Sequence, residues 1–224
     1  MDALEAMRTI GANRFYLPDD VPDEVLREAV ASARFAPQGG NRQPVRLVAV
    51  RDRAKKERLA ELYMPWWRAY FEAAESGTRE LGEYASARKA LMNANDFAEH
   101  LAEHPLIIVV CARLDALHIT DLELTDLERD RPSVVGGASI YPFVQNLCIA
   151  LRVQGVASTI TTLLCGSEPE VKALLEIPDG YLTACHVVAG YPAKGFPKKL
   201  SRAPVAETVF LDTFGNSIGA PEGA

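Results

Sequence analysis

Pro105 opens an uninterrupted apolar run, Leu106-Ile107-Ile108-Val109-Val110-Cys111. Successive side chains of a strand point to opposite faces, so a strand with no polar position buries both. This segment is therefore predicted to be a central strand, with other elements packed above and below it. Val45–Val50 and Leu182–Ala189 supply further strands. Helical periodicity lies between and around them. From Asp23, residues Leu26, Val30 and Ala33 recur at helical spacing until Pro37. A second helix is predicted over 53–62, and a third over Ile140–Gln154, where Phe143, Leu147 and Leu151 repeat every four residues. Ser167 and Glu170 have the spacing of a capping box for a helix over 168–176. Residues 2–8 form a short helix, while 63–104 carries Trp66, Trp67, Tyr70 and Phe71 on helical sequence that either covers a cavity or a subunit contact or is a simple packing insertion. Residues 114–133 form a variable excursion. Strands separated by longer helical patterns indicate an α+β or α/β protein, with 1–224 as a single domain.

Composition narrows the setting. Lys and Arg total 24 against 30 Asp and Glu, a net charge of -6 that argues against a general nucleic-acid surface. No run approaches the roughly 18 apolar residues of a membrane span. Cys111, Cys148, Cys165 and Cys185 lie in or beside apolar runs without a CxxC pair, as expected of buried, reduced thiols in a cytoplasmic protein.

The segment Ala36-Pro37-Gln38-Gly39-Gly40-Asn41-Arg42-Gln43-Pro44 ends a helix and restarts the chain just before a strand. Adjacent glycines allow close backbone approach to a flat ligand, and Asn41 and Gln43 each carry a donor and an acceptor. The pattern suits a planar heterocycle, and it suits a plain connecting loop as well. Arg14, with a late basic group of Lys194, Lys198, Lys199 and Arg202, has the chemistry to hold a phosphate. His100 and His104 are spaced as two metal ligands on a helix, but no third ligand is identifiable, so no metal is assigned. His186, inside an apolar strand, is expected to be a satisfied structural histidine, and Cys111 a packing residue. There is no nucleophile elbow, phosphate-cradling loop or dinucleotide fingerprint.

Taken in order, these segments resemble the flavin-dependent nitroreductase family. The likeness rests on Thr9–Tyr16, the Ala36–Pro44 turn, the 140–155 helix, Ser158–Leu163, Gly190-Tyr191-Pro192 and Arg202-Ala203-Pro204-Val205. The resemblance implies a central, mainly antiparallel sheet surrounded by helices, in an intertwined homodimer whose terminal segment adds to the partner's sheet. It implies FMN near the interface and NADH or NADPH as reductant. Arg14, Arg202 and Lys199 would hold the phosphate; Pro37, Gln38, Gly39, Asn41 and Gln43 would approach the ring from the neighbouring subunit. Thr161, Thr162 and Leu163 would lie at its reactive N5 edge, with Thr161 and Thr162 as the catalytic contributors. Three departures stand out: Gly11 where a basic residue is common, Val45 where an aromatic is common, and Phe210 and Phe214 where His and Trp are common.

The implied activity is ping-pong transfer of reducing equivalents from NAD(P)H to a small aromatic acceptor, nitroaromatic or quinone-like. Reductive dehalogenation, oxidation of a specialised metabolite, and non-catalytic flavin binding are the alternatives.

Overall fold

In the computed structural model, which describes residues 1–79, 87–117 and 135–218, the apolar run lies at the centre of a four-stranded sheet. The strands are β1 (Val45–Val50), β2 (Leu106–Arg113), β3 (Ala157–Thr161) and β4 (Tyr181–Gly190), in the order β1-β2-β4-β3. Every pairing is antiparallel. β2 is buried along its length to Ala112, as expected for a strand covered on both faces.

Its two faces feed two cores. Leu106, Ile108, Val110 and Ala112 pack with Cys185, Val187 and Ala189 of β4 against α2 (Asp23–Ala33) and α5 (Tyr141–Val153). Ile107, Val109 and Cys111 turn the other way, with Val188, onto α3 (Arg53–Glu75), α4 (Ala87–Glu99) and α6 (Glu168–Leu175). The short α1 (Ala3–Thr9), capped by the Asp2 carboxylate, packs against α5. The fold is thus α+β: a central antiparallel sheet with helices on both faces.

Three expectations change. The helix predicted to end at 62 continues to Glu75 and runs through Pro65, so the four aromatics ride on α3. Tertiary packing of its Leu59, Leu62, Tyr63 and Trp67 face holds the helix beyond the proline. The strand β3 was hidden, because Ser158, Thr159 and Thr161 give it a polar composition. The capping box at Ser167 does not form. The Ser167 hydroxyl instead accepts from Trp66 Nε1 (2.9 Å) and donates to the Leu62 carbonyl (3.3 Å), which ties α6 to α3. Of the predicted 114–133 excursion, Leu114–Ala116 is a single 3-10 turn, and 118–134 lies outside the described residues.

Candidate functional site

The Ala36–Pro44 segment leaves α2 as a tight polar turn. Gly40, Asn41 and Gln43 all have positive φ, at 57°, 52° and 49°. Glycine adopts that region freely, whereas Asn and above all Gln do so at a cost of order 1 kcal/mol or more. The turn is pinned by a hydrogen bond from the Gly39 N–H to Ser139 Oγ (3.0 Å). Gln38 donates a long 3.5 Å bond to the Arg34 carbonyl, while its buried Oε1 has no partner among the described residues. A buried amide oxygen left unpaired is costly. Pro37, Gly39, Asn41 and Gln43 are exposed beside it, leading into β1.

Thr161 lies at the other edge of the sheet, where β3 ends, followed by the exposed Thr162 and half-buried Leu163. Its Oγ1 is 3.2 Å from the hydroxyl of Tyr63, which is buried on α3. Burial raises the Tyr63 pKa, opposed by this hydrogen bond and by the nearby charge of Arg14. Arg14 thus stands within electrostatic reach of the Thr161 end of β3. The strand that carries Thr161 is held by Asn13, whose N–H donates to the Ser158 carbonyl and whose carbonyl accepts from Thr159 Oγ1.

The late basic group is only partly gathered. Residues 13–16 do meet the 192–195 turn, through the Tyr16–Pro192 bridge and the Asn13 side chain on the Gly195 carbonyl. Lys194 lies over the Phe15 ring, however, and Arg202 donates to the Ser201 carbonyl. Lys199 and Arg202 remain exposed. At Gly11 a β-carbon would come within 2.8 Å of Leu200, so the absent side chain is replaced by packing of the 197–200 segment.

The structure separates the four aromatics. Trp67 is 6% exposed, stacks on Tyr70 and donates to Asn95 Oδ1 (2.8 Å), so it is core. Trp66 is 45% exposed, and its indole fills the space over Gly166, where a β-carbon would lie 2.4 Å from the ring. Of the four it alone is both exposed and rigidly held.

His104 does not share a helical face with His100, because α4 ends at Glu99. It is buried between Phe97 and Tyr16, and burial lowers its pKa. Among the described residues no group of three His, Cys, Asp or Glu is placed to hold a metal. Burial pushes the Cys111 thiol up to about 11, in keeping with packing rather than nucleophilic chemistry. His186 corrects the expectation of a satisfied histidine: it is fully buried, yet neither ring nitrogen has a hydrogen-bond partner among the described residues. Sequence reading missed Tyr63 and the role of Gly166, since neither sits in a recognisable motif. No helix among the described residues is long and apolar enough to cross a membrane.

The described residues thus form a helix-covered antiparallel sheet with polar strand and turn ends at opposite edges. The model of the nitroreductase family matches residues 7–191, and the chain belongs to that family. Over 212 residues it is 29% identical to an NADH dehydrogenase of Thermus thermophilus, covering 93% of this chain and 95% of that protein. It is 22% identical over 187 residues to the iodotyrosine deiodinase of Hydra vulgaris, covering 80% of this chain and 63% of the deiodinase. The solved structure of oxidised iodotyrosine deiodinase bound to FMN and 3-iodo-L-tyrosine shares the fold, with a TM-score of 0.70 at 21% identity, over 95% of this chain and 100% of that one.

Proposed function

We propose that this chain is an FMN-dependent oxidoreductase. It passes reducing equivalents from NADH or NADPH to a nitroaromatic or quinone-like acceptor by a ping-pong mechanism, as a homodimer. Besides family membership, one observation carries the reading. The two groups of candidate residues lie on opposite edges of a four-stranded sheet, three strand spacings or about 14 Å apart. A second copy would bring the turn of one subunit to the strand end of the other.

Two further features support pairing of copies. A groove of about 550 Å³ runs between α2 and the β1 side of the sheet, lined by Leu26, Val30, Arg34, Val45, Leu47 and Phe143. The arm beyond Pro204 carries Val205, Val209, Leu211, Ile218 and a Phe214 that is 94% exposed. An apolar arm laid against this groove on a second copy would remove both surfaces from water.

The residues present suit a flavin. Asn41 and Gln43, both exposed, offer amide donors and acceptors for the ring's carbonyl and N–H edge. Arg14, with Arg202 and Lys199, supplies fork and point charges for the phosphate. When bound, FMN supplies the hydride and electron chemistry. Pro37, Gly39, Asn41 and Gln43 present flat backbone and amides to the ring from the second subunit. Thr161, Thr162 and Leu163 would line the edge of a bound ring, where a backbone N–H would favour its reduced state without acting as an acid or base. Trp66 offers the acceptor a fixed aromatic face.

Absorption spectroscopy with light scattering tests this. The expected result is a dimer whose flavin bands bleach with NADH or NADPH and return with a nitroaromatic or quinone. A well-folded, colourless single subunit that takes up no FMN would overturn it. The likeness to iodotyrosine deiodinase supports reductive dehalogenation as a second reading, which release of halide from a haloaromatic under reducing conditions would establish.

A further inference from the structure

β3 pairs with β4 only as far as Thr161, which lies opposite His186. Residues 181–185 continue β4 past that point, and no strand runs along this edge of them among the described residues. An uncovered edge leaves backbone donors and acceptors without partners. On the other side of β4, Cys111 of β2 pairs with Thr183 and Val110 with Cys185, so Ala184 is an extra, bulged residue.

Side chains of α6 serve this edge in place of a strand. Glu168 Oε2 accepts from the Thr183 N–H at 2.6 Å and from the Thr183 hydroxyl at 2.8 Å. One turn further along α6, Lys172 Nζ donates to the Tyr181 carbonyl at 2.9 Å. Backbone groups two residues apart in a strand point to the same edge, and an acid and a base four residues apart share one helical face, so the two patterns match. Thr183 is buried and Glu168 half-buried, which shields these charge-assisted bonds from water.

The chain between β3 and Glu168 is the turn that carries the candidate flavin-edge residues. Its start is fixed where Thr161 pairs with β4 and meets Tyr63. Its end is fixed to the sheet where Glu168 holds Thr183. Between them Leu163–Ser167 forms a 3-10 turn, in which the Cys165 N–H donates to the Thr162 carbonyl at 3.0 Å. Thr162 is exposed and Leu163 half-buried, so their placement depends on the anchors at either end.

We propose that Glu168 is a positioning residue for the Thr162–Leu163 edge: its carboxylate, standing in for a strand at Thr183, fixes the far end of the turn that holds these two residues. That this edge meets a flavin rests on the function proposed above; the anchoring of the turn does not.

The test compares wild type with Glu168→Ala, Glu168→Gln and Lys172→Met, the last cutting the other tie of α6 to β4. Hydrogen exchange is read on the proteins as isolated. In the wild type the Thr183 amide should be protected. In Glu168→Ala that protection should be lost, and the amides of 162–167 should exchange about tenfold faster or more, the worth of one hydrogen bond to a charged group. Glu168→Gln, which keeps an acceptor oxygen, should restore most of the protection, and Lys172→Met should leave 162–167 unchanged. With FMN bound, Glu168→Ala should weaken binding of reduced relative to oxidised flavin about tenfold, which for a two-electron couple lowers the midpoint potential by about 30 mV. Lys172→Met should lower the melting temperature without moving the potential, which separates positioning from loss of stability. Unchanged exchange over 162–167 in folded Glu168→Ala overturns the proposal, and so does an equal effect in Lys172→Met. A loosened turn with an unmoved potential overturns the role at the flavin edge. Should Glu168→Ala not fold, a wild-type Thr183 amide that exchanges as fast as an open loop overturns the anchoring alone. A wild type that binds no flavin would instead sink the proposed function, and the exchange rates would still decide whether Glu168 fixes the turn.

Discussion

The Tyr63 hydroxyl lies 3.2 Å from Thr161 Oγ1, joining α3 to the last residue of β3. The bond ties a covering helix to a strand end that the sheet alone holds on one side only. It places a buried phenol next to the polar segment that leads through the exposed Thr162.

Removing this contact is expected to cost little in stability. Tyr63→Phe and Thr161→Val should each lose about 0.5–1.5 kcal/mol, and the double variant should show clear coupling. Chemical denaturation of the four proteins measures this; additive losses would show that the two hydroxyls do not interact.

Gly166 has no room for a methyl group, because the Trp66 ring would lie 2.4 Å from it. Gly166→Ala should expel the indole, break its bond to Ser167 and destabilise the protein by about 1–3 kcal/mol. Tryptophan fluorescence should shift to the red, as the ring gains water.

The two neighbouring tryptophans should behave differently. Trp67→Ala opens the core and is expected to cost about 3–5 kcal/mol. Trp66→Ala should cost less, about 0.5–1.5 kcal/mol for the lost bond to Ser167, and should alter the ratio of kcat/KM values between large and small aromatic acceptors. Unchanged acceptor ratios would remove Trp66 from the acceptor site.

Stability should fall in mild acid through the buried histidines. Burial pushes His186 down to about 4 and lowers His104. Between about pH 6.5 and 4 the unfolded chain therefore binds more protons than the folded one, so stability rises with pH across that window. The His186 contribution is complete above about pH 6.5 and lost as pH drops through about 4, on the order of 3 kcal/mol. His186→Leu should flatten that part of the curve. An identical pH profile in the variant would show that the ring is not buried neutral.

Arg14→Gln should weaken FMN retention about 10- to 100-fold, the value of one charge-assisted hydrogen bond to phosphate. Fluorescence titration with FMN and riboflavin reads this directly. A loss equal for both ligands would place Arg14 on the ring instead of the phosphate.

The chain itself determined the elements with strong periodicity. The apolar run at 106–111 dictated a doubly covered strand, and the spacing of Phe143, Leu147 and Leu151 dictated the helix that covers one face. These signals are legible because burial acts on each residue in its own segment. Family resemblance, too, was readable from the ordered motifs between Thr9 and Val205. Tertiary structure decided the rest. β3 pairs despite its polar residues because β4 offers it an edge, α3 runs past Pro65 because its inner face is held by the sheet, and Ser167 serves Trp66 instead of its own helix. The same holds for the site. Tyr63 reaches Thr161 from 98 residues away in the chain, and hydrogen bonding across such a distance leaves no local pattern to read.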